Sequence, residues 1–167
     1  GIACVTLEDD TFEMHVADTL VAGAGLCDED VVRKIVSAAP ARMDELRSIG
    51  MRFTEREDAN GEPDLGREGG HSMRRILHAG DITGHHVEEV LLKNVDKLKN
   101  ITIMEDTQAI DLVTRNIGGK TACVGAYVLN RITGEIFAVR APYTILATGG
   151  AGKVYLYTTN PDVAAAG

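Results

Sequence analysis

The sequence predicts an α/β domain whose C-terminal half is a β-meander. Three observations carry that expectation. Apolar residues recur at helical spacing up to about Asn100, extended runs separated by glycine turns follow it, and the composition is that of a packed globule. The chain has 167 residues, 44% hydrophobic and 25% charged, enough to bury a core without disulfide staples.

The elements follow in order. Residues 2–7 form a short apolar run, and a helical pattern spans about Thr11 to Ala22, with Met14, Ala17, Val21 and Ala24 on one face and Gly23 and Gly25 as its end. Asp28 is placed as an N-cap, with Glu29 and Asp30 in the first turn, where the helix dipole favours carboxylates. Val31, Val32, Ile35, Val36 and Ala39 give that helix a core face. Pro40 predicts a restart because it has no N–H to donate, and Met43, Leu46 and Ile49 carry the stripe to Gly50. Residues 51–53 read as extended. Residues 54–70 are polar, glycine-rich and aperiodic, the kind of long loop that is often functional.

Arg74–Ala79 reads as a strand, and Thr83 as the cap of a helix over 84–99 with Val87, Val90, Leu91, Val95 and Leu98 on one face. The remaining runs are extended: Ile101–Glu105, Ala109–Val113, Cys123–Asn130, Glu135–Arg140 and Tyr143–Leu146. Asn116-Ile117-Gly118-Gly119 and Thr133-Gly134 are the turn signals between them.

Charge and cysteine content exclude some classes of function. With 25 acidic and 17 basic residues the net charge is −8, which disfavours nucleic acid or an anionic membrane as a partner. No apolar run is long enough to span a bilayer. Cys4, Cys27 and Cys123 are scattered and odd in number, which reads as reduced thiols in a cytoplasmic protein rather than a disulfide framework. Neither end looks like a natural terminus, so the reading is of an internal piece of a larger protein.

Several clusters could carry chemistry. The run Tyr143–Thr148 leads into Gly149-Gly150-Ala151-Gly152, and glycines at a strand's end allow close approach to a phosphate. The GxGxxG spacing is not met, because Tyr155 stands where the third glycine belongs, so spacing alone leaves a bare turn and a phosphate cradle equally open. Arg67-Glu68-Gly69-Gly70-His71-Ser72 packs an arginine, a carboxylate and a histidine around two glycines, in a loop that could present Glu68 or His71 to a substrate; a solvated turn is the plainer reading. His85, His86 and Glu89 lack the HExxH order of a zinc site and read as first-turn surface residues. His15 and Asp18, three apart on the first helix, read as a buried or capping pair.

Three stretches resemble one family. Gly1-Ile2-Ala3 with His15-x-x-Asp18-Thr19-Leu20-x-Ala22-Gly23-Ala24-Gly25-Leu26-Cys27-Asp28, the run from Arg67 through Gly84 (REGGHS-x-RRILHA-x-D-x-TG), and Leu146–Tyr155 with Tyr157–Pro161 are similar to the L-aspartate oxidases. That family lies within the flavoprotein superfamily of succinate dehydrogenase and fumarate reductase. The resemblance implies a partial FAD-binding, Rossmann-like domain over residues 1–167, with the GxGxxG unit expected before Gly1 and the capping and helical domains expected after Gly167. It implies FAD as cofactor and L-aspartate as substrate, with iminoaspartate as product, oxygen or fumarate as acceptor, and a place in quinolinate and NAD biosynthesis with quinolinate synthase as a candidate partner. Glu68 and His71 are then the substrate-facing residues. Gly1 lines the isoalloxazine, Gln108 and Ala109 lie on the adenine side, and Thr148, Gly149 and Gly150 form a strand-end turn at the cofactor. Cys4 and Met73 stand where the resemblance leads one to expect alanine and histidine. No catalytic residue and no metal ligand is assigned within the chain, and the isolated piece is expected not to turn over. The alternatives are a succinate dehydrogenase or fumarate reductase flavoprotein subunit, and a non-catalytic α/β module on the same scaffold.

Overall fold

The computed structural model describes residues 1–58 and 61–159, with Lys153 described by its backbone alone. The chain divides into two compact units, Gly1–Thr102 and Ile103–Gly167. The Asn160-Pro161 end of the third motif lies outside the described residues.

In the first unit, strand β1 (Ile2–Ala3) leads to helix α1 (Phe12–Ala22) and then to α2 (Glu29–Ser48). Both helices start on side-chain caps: Met14 N–H donates to Thr11 Oγ1 at 3.1 Å and Val31 N–H to Asp28 Oδ1 at 3.1 Å. Pro40 lies inside one continuous helix, so no restart occurs. One missing backbone bond is tolerated because the apolar stripe runs straight through it, with Val36 and Met43 buried on either side.

The face expected for α1 is wrong. His15 and Val16 are buried whereas Val21 is 81% exposed, because α1 is apolar on more than one side and spacing cannot choose between stripes. On α2, Val31 and Ile35 are likewise exposed, and Val36 carries the packing.

Strands β2 (Leu65–Gly66) and β3 (Ile76–Leu77) complete a three-stranded antiparallel sheet in the order β1-β3-β2, with Ile2 and Leu65 both opposite Leu77. The long loop is thus not structureless: it holds β2 and an isolated bridge between Glu55 and Pro63. Helix α3 spans Thr83–Val95 and stops short of residue 99. Thr83 does not cap it. Its hydroxyl accepts from Ala79 N–H at 3.1 Å, closing the turn between β3 and α3. Cys4, Met43, Met51, Phe53, Leu65, Leu77 and Ala79 form the core. Cys4, Cys27 and Cys123 are free, with Cys4 buried.

The second unit is an antiparallel meander of β4 (Thr107–Ile117), β5 (Lys120–Asn130) and β6 (Ile136–Arg140). Gly118 and Gly119 take φ of 59° and 82°, the left-handed pair that a two-residue hairpin requires. Register shifts between Ala109 and Asp111 and between Val113 and Thr114 put a bulge in the β4–β5 ladder on either side of Leu112. Neither Ile101–Glu105 nor Tyr143–Leu146 forms a strand among the described residues. A three-residue 3-10 turn follows at Gly152–Val154.

Candidate functional site

A buried arginine organises the site. Arg75, the residue before β3, is fully buried. Its Nε and Nη2 donate to Asp10 Oδ2 and Oδ1, each at 2.7 Å, a two-pronged fork between planar groups. Its Nη1 donates to Asp18 Oδ2 at 2.6 Å and lies 3.3 Å from His71 Nδ1. Asp10 is placed just ahead of α1, where Thr11 N–H also donates to its Oδ1 at 2.9 Å. Asp18 comes from the middle of the same helix. Helix α1 and the residue just ahead of its cap thus supply the two acids, and the residue entering β3 supplies the arginine between them.

Asp18 has a second set of donors. Ser72 N–H and Ser72 Oγ both reach Asp18 Oδ2 at 2.8 Å. Burial would raise the Asp18 carboxyl, but the two Ser72 bonds and the Arg75 guanidinium outweigh it and hold it down to about 2. Burial likewise pulls Arg75 down, and its bonds to Asp10 and Asp18 reverse that and raise it. His15, one turn before Asp18 on α1, is pulled below the usual imidazole range by burial first and then by Arg75 and His71. It packs against the His71 ring at 5.5 Å between centroids, and its Nδ1 is buried without a hydrogen-bond partner among the described residues.

Above this knot sits the Arg67–Ser72 loop. His71 N–H donates to Glu68 O at 3.3 Å, closing a tight turn in which Gly70 takes φ of 83°. The Glu68 side chain is exposed, with Oε1 4.0 Å from the Gly1 nitrogen. A Cβ on Gly1 would collide with Ile76 Cγ2 and lie 3.1 Å from Glu68 Oε1. The structure therefore brings Gly1, Glu68 and His71 together, three residues singled out from sequence. It adds Arg75, Asp10 and the Asp18–Ser72 anchor, which were missed. A charged residue directly ahead of the apolar pair Ile76-Leu77 was the available signal.

Gln108 and Ala109 are exposed on β4, opposite Leu129 and Val128. Thr148, Gly149 and Gly150 are exposed on the segment after β6. Gly149 takes φ of 82°, and a Cβ built on Gly150 would have no atom within 4 Å. An open glycine pair of this kind leaves room for a bulky dinucleotide lying against the backbone. His85 and His86 are exposed beside Glu89, at 3.8 and 3.5 Å, and no group of three or more potential metal ligands occurs among the described residues. No helix among them is long and apolar enough to cross a membrane.

The sequence pattern of the FAD binding domain family matches residues 1–167. The chain is 48% identical to the L-aspartate oxidase of Vibrio cholerae serotype O1, over 98% of this chain and 31% of that protein. It is 50% identical to L-aspartate oxidase 1 of Ralstonia nicotianae, over 98% and 31%, and 44% identical to the chloroplastic L-aspartate oxidase of Arabidopsis thaliana, over 98% and 25%. The chain thus spans between a quarter and a third of the length of these relatives. Among solved structures, an E. coli quinol fumarate reductase FrdA carrying an E245Q mutation superposes with a TM-score of 0.87 at 32% identity, over 98% of this chain and 27% of that one. Mycobacterium smegmatis Sdh1 in complex with UQ1 superposes at 0.82 and 28% identity, over 97% and 28%.

Proposed function

The chain belongs to the FAD binding domain family, and from that premise we propose that it forms part of the flavin domain and one wall of the substrate site of an L-aspartate oxidase. Such an enzyme takes L-aspartate to iminoaspartate with oxygen or fumarate as acceptor. Its product feeds quinolinate and NAD biosynthesis, with quinolinate synthase as the consuming partner and the cytoplasm as the compartment. The observation that carries the reading past flavin binding is the exposed Glu68 carboxylate, on a loop anchored from behind and directed to the same corner as Gly1.

The residues divide the work. Glu68 accepts the α-ammonium of the substrate in a charge-assisted hydrogen bond, which separates an amino acid from an unsubstituted dicarboxylate. His71 lines the same wall. Gly1 lies beside the flavin ring, Gln108 and Ala109 on the adenine side, and Thr148, Gly149 and Gly150 give the cofactor a strand-end turn whose two glycines leave the backbone open. When bound, FAD supplies the acceptor for the hydride leaving Cα.

A flavoprotein subunit of the succinate dehydrogenase or fumarate reductase kind is the second reading, favoured by the TM-score of 0.87. Glu68→Gln in the full-length protein distinguishes the two. Loss of one charge-assisted bond is expected to lower kcat/KM for L-aspartate by about 10-fold or more, with little change in fumarate reduction. Equal losses on both substrates, or a flavin-loaded protein that oxidises succinate and not aspartate, would overturn the aspartate reading.

A further inference from the structure

We infer that Asp18 and Ser72, locked together beside Arg75, are positioning residues that set selectivity for an amino-acid substrate by fixing the loop that carries Glu68. The inference rests on the substrate contact proposed for Glu68 and extends it to residues that touch no substrate.

Glu68 is followed by two glycines, so its own stretch of backbone has unusual freedom. A carboxylate on such a segment would lose much of its attraction for an ammonium to the entropy of ordering the loop at each binding event. The structure removes that freedom at the far end of the glycines. Ser72 is clamped to Asp18 through both its N–H and its hydroxyl, a link between residues 54 positions apart in sequence. The acceptor is itself immobile, because Arg75 Nη1 donates to the same oxygen and Arg75 is in turn forked to Asp10. His71, between the clamp and Glu68, closes the turn with its N–H and lies against Arg75 with its ring. The chain from Asp10 to Glu68 is therefore continuous: acid, base, acid, serine, turn, carboxylate. It fixes the backbone turn from which Glu68 projects before a substrate arrives.

A preorganising role moves KM rather than kcat, and only for the substrate that Glu68 recognises. In the full-length protein, Ser72→Ala is expected to raise KM for L-aspartate by about 3- to 10-fold, the range for one lost hydrogen bond, with kcat and the KM for fumarate little changed. Ser72→Thr, which keeps the hydroxyl, should restore the KM. Asp18→Asn should act in the same direction and more strongly, and if it fails to fold, the exposed Ser72 pair carries the test alone. In a Glu68→Gln background the Ser72→Ala effect should vanish, because the clamp works through Glu68. An unchanged aspartate KM in Ser72→Ala where Glu68→Gln raises it, or additive losses in the double variant, overturns the positioning role and leaves the Glu68 contact standing. An unchanged KM in Glu68→Gln itself overturns the contact and the inference together.

Discussion

The Arg75 knot and the β4–β6 meander are built in opposite ways. The knot joins residues far apart in sequence, and its stability rests on burial: Arg75 and the Asp10 carboxylate are shut away from water and satisfy each other. The meander joins neighbours. Its ladder runs through bulges and glycine turns, while most of its side chains stay exposed, Ile110 at 50% and Ile136 at 63% among them. Backbone pairing specifies one region, and buried charge with packing specifies the other. The two should therefore fail under different substitutions.

Arg75→Met attacks the first and carries the largest expected effect. It leaves Asp10 buried without its partner, at a cost of about 3–5 kcal/mol by analogy with broken buried pairs, and denaturant melts of the full-length protein should show it. Arg75→Lys should recover part of the loss, since one ammonium cannot reproduce the fork.

Gly125→Ala attacks the second. Gly125 takes φ of 148°, and a Cβ there would run into Val139 O across the β5–β6 ladder. The backbone has to shift, at a cost on the order of 1–3 kcal/mol. Hydrogen exchange should show faster amides in β5 and β6, with the Arg75 region unaffected; equal acceleration in both regions would contradict the division.

The smallest expected effect is a pH dependence confined to the knot. Asp18 is held at about 2 against an ordinary value of 3.8, so the folded state favours its ionised form. Its contribution is fully present above the ordinary value and is lost as the pH falls through about 2. Acid titration should therefore loosen the Ser72 clamp before it disturbs the meander, seen as earlier exchange at the Ser72 amide.

The same contrast explains what could be read from the sequence. The cap at Asp28, the Gly118-Gly119 hairpin and the succession of three helices and a meander were legible because each depends on residues a few positions apart. Pro40 misled because its cost is local while the compensating burial of Val36 and Met43 is tertiary. The exposed side of α1 misled for the same reason. The Arg67–Ser72 loop stood out by composition, yet its anchor did not, because Arg75 finds its acids 57 and 65 positions away. An arginine in that position reads as a surface residue until a helix folds over it.

The glycines at positions 1 and 150 have a consequence of a different kind. Any larger residue at the first would wedge β1 away from Ile76, so foldability alone removes it from a population of variants. Position 150 is roomy enough for the polypeptide to accept a methyl group unnoticed. Scoring a mutant library once for abundance and once for yellow colour would therefore sort the two: substitutions at the first glycine are expected to lower abundance, and those at the second, if the proposed cofactor turn holds, to lower colour alone.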